Sequence, residues 1–409
     1  MKILMLSWEY PPHSVGGLGK HVTELVPTLG ANGVEVHLLT PRWAGGNEEE
    51  SIAEVATNNG TPRHSTVYRV EPPRVDMPNF FEGARRTNVA IEERARQLWA
   101  EHGPFDVIHG HDWLVAFAGV ALKHAFKVPL LATIHATEYG RGRGTVSGDL
   151  PRAINGVEWW LTYEAWRVIC CSRFMANEVH TALNTPLDKV DVIPNGIDTT
   201  RFDVLEGQDL TDFRSGFAAP DEKIIFYVGR VVHEKGVHLL VDAIARLRAE
   251  SVPVKLVVAG TGDYLNAVRQ RANDIGVGPF CYVAGFIPDA VRDRLFKVAD
   301  VAVFPSLYEP FGIVALEAMA ARTPVVVSAV GGLSEVVHHG ETGILVYPND
   351  VDSIVWGVKH TLEHPDWARR RVESAYQMVV DEFNWSTIAR QTRTVYERVI
   401  DERRHATWN

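Results

Sequence analysis

The chain has 409 residues, of which 46% are apolar and 22% charged, and its net charge is −10 at pH 7. This length makes two globular domains the natural expectation, and the acidic balance argues against general nucleic-acid binding. No apolar stretch reaches the roughly 18 residues of a membrane span, and the apolar run at residues 1–7 is too short for a signal peptide, so we expect a cytoplasmic protein.

The first half of the chain alternates short apolar runs with amphipathic segments. The apolar runs predict strands at residues 2–7, 34–39, 105–108, 129–134, 168–171 and 190–193. Apolar residues from Leu18 to Leu29 recur at helical spacing, residues 85–97 read as a solvated helix, and residues 44–66 are expected to form a polar surface loop.

A glycine pair, Gly16 and Gly17, follows the first strand and lies at the start of the first helix. Backbone N–H groups at such a position favour a phosphate. The spacing differs from G-x-G-x-x-G, and no acidic residue lies about 20 positions on at a strand end, so the pattern does not favour a nicotinamide cofactor. The simpler alternative is that the two glycines only make a tight turn.

Histidines and charged residues follow two other strands. His109, His111 and Asp112 follow the strand at residues 105–108, and His135 and Arg141 follow the strand at residues 129–134. Ligands of open α/β sheets gather at such strand ends, which favours His135 as a functional residue. No third ligand is evident beside His109 and His111 and no cysteine lies near, so we expect no metal site. We expect the loop at residues 140–148 to close over an acceptor.

The second half repeats the alternation, with strands predicted at residues 224–228, 254–259, 282–286, 301–304, 325–328 and 343–346 and two closing helical segments. This pattern predicts an α/β protein with two parallel-sheet, Rossmann-like domains that face each other across a cleft. We place one domain at residues 1–198, completed by a C-terminal helix at residues 386–409, and the other at residues 199–385.

Two cations, Arg230 and Lys235, flank the first strand-to-helix turn of the second half. Together with a helix N-terminus they suit a pyrophosphate. The alternative is an exposed pair of charges on a polar loop.

Two glutamates, Glu309 and Glu317, frame a strand–loop–helix segment that contains Pro310 and Gly312. Ionised carboxylates only accept hydrogen bonds, so they suit the hydroxyls of a sugar or ribose. The alternative is that Glu309 is a surface loop residue and Glu317 an exposed helix position.

These motifs together resemble retaining glycosyltransferases of the GT-B fold, in the group numbered family four. The resemblance runs the full length and is carried by the E-x7-E pair Glu309 and Glu317, by Arg230 with Lys235, by Gly16-Gly17 and by residues 195–198. Within the group, residues 7–12, 109–113 and 133–138 are similar to bacterial glycogen-synthase-like α-glucosyltransferases. Ser14 stands where those enzymes have a lysine, and this chain is shorter.

The resemblance implies roles for individual residues. Arg230, Lys235, His135 and Glu309 are the implied catalytic residues, and Glu9, Asp112 and Arg141 lie on the acceptor side. The implied donor-binding residues are Gly16, Gly17, Asn195, Gly229, Gly260, Gly285, Phe286, Ile287, Phe311, Gly312, Ile313, Val314 and Glu317. No metal or cofactor is implied.

The implied reaction is transfer of a hexose, with glucose favoured, from a nucleotide diphospho-sugar such as UDP-glucose or ADP-glucose to a sugar or glucan hydroxyl with retention of configuration. Transfer to a sugar phosphate, as in sucrose-phosphate synthases, and transfer of mannose or another sugar to a lipid-linked acceptor stay open. A same-fold sugar-nucleotide epimerase, a nicotinamide-dependent oxidoreductase and a non-catalytic binding protein are less favoured alternatives.

Overall fold

The computed structural model describes residues 1–52, 63–73 and 78–408. The chain divides into two compact units. The first unit contains Met1–Gly196 and the C-terminal segment that begins at Trp385, and the second contains Ile197–Asn384.

The first unit is built on an open eight-stranded sheet with the strand order β3-β4-β2-β1-β5-β6-β7-β8. Its strands are β1 (Lys2–Leu6), β2 (Glu35–Pro41), β3 (Glu49–Ile52), β4 (Ser65–Val70), β5 (Val107–His111), β6 (Leu130–Ile134), β7 (Arg167–Cys170) and β8 (Val190–Val192). Its helices are α1 (Gly17–Ala31), α2 (Phe80–His102), α3 (Ala116–Phe126), α4 (Glu138–Arg141), α5 (Asp149–Glu164), α6 (Arg173–Leu183) and the C-terminal α15 (Trp385–His405). All strand pairs are parallel except β3 with β4.

The second unit is built on an open, fully parallel six-stranded sheet with the order β11-β10-β9-β12-β13-β14. Its strands are β9 (Lys223–Val228), β10 (Val254–Ala259), β11 (Cys281–Gly285), β12 (Val301–Phe304), β13 (Val325–Ser328) and β14 (Ile344–Val346). Its helices are α7 (Thr211–Ser215), α8 (Val237–Ala249), α9 (Leu265–Asp274), α10 (Asp289–Val298), α11 (Ile313–Ala320), α12 (Leu333–Val336), α13 (Val351–Glu363) and α14 (Pro365–Glu382).

The C-terminal helix α15 belongs to the core of the first unit. Ile388, Tyr396 and Val399 of α15 are fully buried in one cluster with Val22 and Leu29 of α1. Burial of each such side chain contributes about 1.5–3 kcal/mol. The apolar face of α15 therefore explains why this helix, so far along the chain, completes the first unit.

The structure corrects two predictions. Residues 44–66, predicted as a surface loop, contain β3 and the first residues of β4, while residues 53–62 lie outside the described residues. Strand β3 is largely exposed and polar at Glu49, Glu50 and Ser51, so its sequence lacks the apolar alternation that reveals a strand. The closing segments are three helices and not two, because Pro365 disfavours helical backbone at His364 and starts a new helix.

Glycines bring three strand-end loops of the second unit into direct backbone contact. The Gly229 N–H donates to the Ala259 carbonyl at 3.1 Å, and the Gly260 N–H donates to the Gly285 carbonyl at 2.7 Å. Gly260 has a φ of +131°, and a β-carbon there would overlap the Gly229 carbonyl oxygen. The ends of β9, β10 and β11 can therefore approach this closely only with glycine at residue 260.

We predict that Gly260→Ala destabilises the protein by about 2 kcal/mol or more, because it adds a backbone overlap to a positive φ. Gly276→Ala is the matched control: φ is +76° there, but a β-carbon would meet open space. The midpoint of urea unfolding should fall clearly further for Gly260→Ala. Equal midpoints for the two variants would show that the close approach contributes nothing.

Candidate active site

A strand, a glycine loop and a helix form the centre of the site in the second unit. After β12 the chain turns through Gly312, whose φ is +107°, and enters α11. A β-carbon at Gly312 would overlap the Leu333 side chain, so glycine is needed for both conformation and space. The first N–H groups of α11 have no partner within the helix, which makes its N-terminus a site for anionic or hydroxyl-bearing ligands.

An ion pair joins this loop to the loop that follows β9. The Lys235 Nζ lies 2.7 Å from Glu309 Oε2, and the two side chains are only 15% and 12% exposed. The Leu307 N–H donates to the Glu234 carbonyl at 2.8 Å, so the two loops are also tied through their backbones. A cation and a carboxylate are thereby held together beside a helix N-terminus.

Arg230 lies on the same loop as Lys235 but is more open. Its side chain is 48% exposed and its nearest described ion-pair partner is Glu234, at 3.7 Å. The Tyr227 hydroxyl donates to the Arg230 carbonyl at 2.8 Å, which holds the backbone of this turn. The guanidinium is therefore accessible to an anionic ligand.

Glu317 is buried within α11 and contacts two arginines. Its side chain is 1% exposed, and Oε1 accepts a hydrogen bond from Arg201 Nη2 at 3.0 Å and lies 3.9 Å from Arg292 Nη1. The alternative of an exposed helix position is therefore wrong for Glu317. Burial lowers the pKa of Arg292, but the carboxylates of Glu317, Asp293 and Asp289 outweigh burial and raise it above its usual value.

The remaining residues predicted to bind the donor lie at other strand ends of the second unit. Phe286, directly after β11, is 79% exposed, whereas Phe311 is 4% exposed and packs near Phe383 at 6.1 Å between ring centroids. Gly229, Gly260 and Gly285 of the predicted set form the interlocked loops described above, and Ile287 follows Gly285 by two residues. An exposed aromatic ring beside these loops suits stacking with a flat ligand group.

In the first unit, Glu9 supports the glycine loop. Its Oε2 accepts hydrogen bonds from the N–H groups of Val15, at 2.7 Å, and Gly16, at 3.1 Å. Gly16 is the N-cap of α1, and a β-carbon at Gly16 would meet nothing within 4 Å. The structure thus gives Glu9 a positioning contact in addition to the acceptor-side role that was expected of it.

Asp112 holds the backbone of the loop that starts at His135. Its Oδ1 accepts from the His135 N–H at 2.7 Å, and burial raises the pKa of Asp112 to about 6. Asp112 has φ 59° and ψ 175°, a backbone conformation used almost exclusively by glycine. A non-glycine residue held there stores about 1–3 kcal/mol of strain, which is typical of functional sites.

The first two residues of the predicted loop, 140 and 141, belong to the short helix α4, which Thr137 caps through a hydrogen bond from the Gly140 N–H at 2.9 Å. Buried Glu158 accepts from the Glu138 N–H at 2.9 and 3.0 Å and lies 3.9 Å from Arg141. Burial raises the pKa of Glu158 to about 8. The start of the predicted acceptor loop is therefore a structured turn that rests on a buried carboxyl group.

Half-buried His135 belongs to a group of imidazoles with buried His21 and His111, and buried Asn195 bonds one of these rings. The Asn195 Oδ1 accepts a hydrogen bond from His21 Nδ1 at 2.7 Å, and His111 Nδ1 lies 3.1 Å from His135 Nε2. Burial lowers the pKa of both His21 and His135 to about 3, so these rings are neutral near pH 7. Both ring nitrogens of neighbouring His109 are hydrogen-bonded elsewhere, to the Tyr396 hydroxyl and to Thr133 Oγ1, each at 2.7 Å.

The structure thus brings together Lys235 and Glu309 in the second unit and Asp112, His135 and Arg141 in the first. Sequence reasoning missed several side chains that hold these residues: His21, Glu158, Arg201 and Arg292. The sequence offered a weak indication that Arg292 forms an ion pair, because Asp289 lies three residues before it on a helix. It offered none for Arg201 and Glu158, since only tertiary packing brings them to their partners.

Comparison with known proteins supports the same class. The family model described as glycosyl transferases group 1 matches residues 209–378, and that described as glycosyltransferase family 4 matches residues 15–201. An uncharacterized glycosyltransferase of Methanocaldococcus jannaschii is 41% identical over 405 residues, 98% of this chain and 99% of that protein. A glycogen synthase of Mycobacterium tuberculosis is 37% identical over 403 residues, 97% of this chain and 94% of that protein.

Among solved structures, a sucrose-phosphate synthase from Thermosynechococcus elongatus superposes with a TM-score of 0.82 at 25% identity, covering 98% of this chain and 99% of that chain. Two parallel Rossmann-like sheets with these neighbours define a glycosyltransferase of the GT-B fold. The chain belongs to glycosyltransferase family 4, in the group of the glycogen and sucrose-phosphate synthases. The family and fold predicted from the sequence are confirmed.

The helices of the protein were also compared with the length and apolar character of a membrane span. Among residues 1–52, 63–73 and 78–408, no helix combines the length and apolar character needed to cross a bilayer.

We predict that Arg201→Leu lowers the free energy of unfolding by about 1–3 kcal/mol, because it removes a hydrogen-bonded cation from buried Glu317. Arg369→Leu is the matched control, since Arg369 and its partner Asp366 are both 78% exposed. Urea unfolding of both variants checks the difference. A loss no larger for Arg201→Leu than for Arg369→Leu would contradict a supporting role for Arg201.

We also predict that Glu158 makes stability fall as pH rises. Its pKa is about 8 in the folded protein against a usual 4.5, so between these values the folded state binds more protons than the unfolded state. The free energy of unfolding therefore falls with rising pH in this window, by at most about 1.4 kcal/mol per pH unit. Glu158→Gln should flatten the slope measured by urea unfolding between pH 5 and 8.

The control for this slope is Glu363→Gln at the exposed end of α13, which should leave the pH dependence unchanged. An identical slope in the wild type and Glu158→Gln would contradict the raised pKa.

Proposed function

We propose that this glycosyltransferase moves a glucosyl group from a nucleotide diphospho-sugar to a hydroxyl of a glucan, with retention of configuration. The observation that carries the proposal is the ion pair of Lys235 and Glu309 beside the N-terminus of α11. One side chain suits a phosphate and the other suits sugar hydroxyls, and they lie 2.7 Å apart.

In this proposal Lys235 and Arg230 stabilise the leaving diphosphate. Negative charge develops on the leaving oxygen as the glycosidic bond breaks, and cations already in place stabilise that charge without reorganisation. Lys235 is only 15% exposed, so its charge is weakly screened by water, whereas the more open Arg230 can reach toward the ligand. The proposed reaction assigns no step to a metal ion or a cofactor.

Glu309 and the N–H groups of Phe311, Gly312 and Ile313 are proposed to bind the hydroxyls of the donor sugar. Glu309 is held in place by Lys235 and by a 3.4 Å contact from Ser306 Oγ, so it needs little ordering when the sugar arrives. Glu317 is proposed to accept from the ribose, with Arg201 and Arg292 keeping it oriented. Gly285, exposed Phe286 and Ile287 are assigned to the base.

Neutral His135 is proposed to position the sugar, and Asp112 and Arg141 to act on the acceptor side. The acceptor hydroxyl attacks from the face that the diphosphate leaves, through an oxocarbenium-like state, and the departing phosphate oxygen takes the hydroxyl proton. This course does not need the second protein carboxylate that retaining glycosidases use as a nucleophile.

The choice of glucose and of a glucan rests on similarity. The glycogen synthase of M. tuberculosis is 37% identical across nearly the whole chain, which supports glucosyl transfer to a glucan. The likeness to a sucrose-phosphate synthase keeps a sugar phosphate as the second candidate acceptor.

Nucleotide release from a panel of donors tests the proposal. UDP-glucose, ADP-glucose, GDP-glucose, GDP-mannose and UDP-N-acetylglucosamine are each supplied with and without maltooligosaccharide or fructose 6-phosphate. Release from a glucose donor that maltooligosaccharide accelerates supports the proposal, and acceleration by fructose 6-phosphate favours the second candidate. Release only from mannose or N-acetylglucosamine donors overturns glucosyl transfer, and a product sugar nucleotide without any acceptor indicates an epimerase.

We predict that Lys235→Ala lowers kcat at least about 100-fold, the size of effect seen when one charge-stabilising donor is removed from an active site. Lys359→Ala is the control, because Lys359 also pairs with a glutamate in the second unit but lies on the surface. Rates are measured with the best donor of the panel, and circular dichroism confirms folding. Near-normal turnover of folded Lys235→Ala would exclude Lys235 from the mechanism.

A further inference from the structure

Three imidazoles from separate elements converge in the first unit. His21 lies on α1, His111 ends β5 and His135 follows β6, and one ring nitrogen from each lies within 4.8 Å of the others. Among residues 1–52, 63–73 and 78–408, no other group of three or more histidine, cysteine, aspartate or glutamate side chains is so arranged. The sequence pointed to His109 with His111 and offered no third ligand. In the structure the residues grouped with His111 are His21 and His135, and His109 is not one of them.

The hydrogen bonds around this trihistidine cluster leave nitrogen lone pairs without donors. His21 Nδ1 donates to the Asn195 Oδ1, so in the neutral ring His21 Nε2 carries a lone pair. His111 Nδ1 and His135 Nε2 share one hydrogen bond of 3.1 Å. His111 Nε2 is buried and has no hydrogen-bond partner. A histidine whose other nitrogen donates to an amide or carbonyl oxygen is the usual form of a metal ligand.

A purely structural cluster does not explain His111. Neighbouring His109 shows how this fold satisfies a structural histidine, with both ring nitrogens bonded at 2.7 Å. His111 is just as deeply buried, at 0% exposure, yet one nitrogen lacks a partner. An unsatisfied buried polar atom is unfavourable, and a ligand at this nitrogen would remove that cost.

We propose that the trihistidine cluster binds a first-row transition-metal dication of the Zn²⁺ or Co²⁺ class. Neutral imidazole is a preferred ligand of these ions, and three histidines with one open position form a familiar tetrahedral site. Metal–nitrogen bonds of about 2.1 Å place tetrahedral ligand atoms roughly 3.4 Å apart, so the rings must close by about 1.4 Å from the 4.8 Å spread. Side-chain rotation supplies this closure: Nε2 of each of the three rings is the ligand atom, and the bond between His111 Nδ1 and His135 Nε2 breaks as His135 Nε2 turns to the metal.

The site is defined on the protein without a sugar donor, so it stands independently of the role proposed for His135. Asn195 orients His21 from behind and is the natural second test residue.

Cobalt titration of the full chain, freed of affinity tags and pre-treated with a chelator, tests the proposal. We expect one equivalent of Co²⁺ to produce the visible d–d absorption of a tetrahedral site, which Zn²⁺ then displaces. His111→Asn and His21→Gln should each abolish the band or weaken binding at least about 100-fold. Asn195→Ala should weaken binding about 10- to 100-fold, as expected for a residue that orients a ligand.

The control is the double variant His360→Gln, His364→Gln, which removes a pair of neighbouring rings in the second unit, 4.8 Å apart. Its Co²⁺ spectrum should match the wild type. The proposal is overturned if the wild type binds no Co²⁺ at 100 µM, if the band survives in both His111→Asn and His21→Gln, or if it disappears in the control. Thermal melts establish whether each variant is folded. If His111→Asn is unfolded, the Co²⁺ spectrum of His21→Gln decides the test.

Discussion

The ion pair between Lys235 and Glu309 is the interaction on which the donor half of the site depends. It joins the loop after β9 to the loop after β12, and its two members are mostly buried. Neither charge is stable in such surroundings alone, so each fixes the other's position before any ligand is present. Gly236, next to Lys235, lets these two loops approach closely, because a β-carbon there would overlap the Pro305 carbonyl oxygen. A ligand that offers both phosphate and hydroxyl groups can engage both partners at once.

A second arrangement, made of buried carboxyl groups, supports the first unit. Asp112 adopts a backbone conformation that ordinarily needs glycine, and its carboxylate binds the backbone at the start of the His135 loop. Glu158 likewise accepts hydrogen bonds from the backbone at the start of α4, at the Glu138 N–H. Around them the imidazoles stay neutral, because burial makes protonation unfavourable. The two units thus prepare their functional residues by different means: an ion pair in one, and strained backbone with neutral rings in the other.

Most of the fold and part of the site follow from local sequence. The strands with unbroken apolar runs, such as β9 and β12, and the helices that follow glycine loops were predicted because those signals are local. Strand β3 was missed because it is polar and exists only through pairing with β4. Likewise Lys235 and Glu309 were predicted from motif spacing, whereas Arg201 and Glu158 find their partners 116 and 20 residues away through packing alone. The burial of Glu317 could not be read from spacing, since the helix propensity of its neighbours is the same in an exposed helix.

Calorimetric titration with the nucleoside diphosphate of the preferred donor, and with that donor sugar nucleotide itself, tests the central claim most directly. If the ion pair is the preformed donor site, Lys235→Ala weakens both ligands, while Glu309→Gln weakens the sugar nucleotide far more than the nucleoside diphosphate. If Lys235→Ala leaves both affinities unchanged, or if Glu309→Gln affects the two ligands equally, Lys235 and Glu309 do not divide the donor between them and the account of the site is wrong.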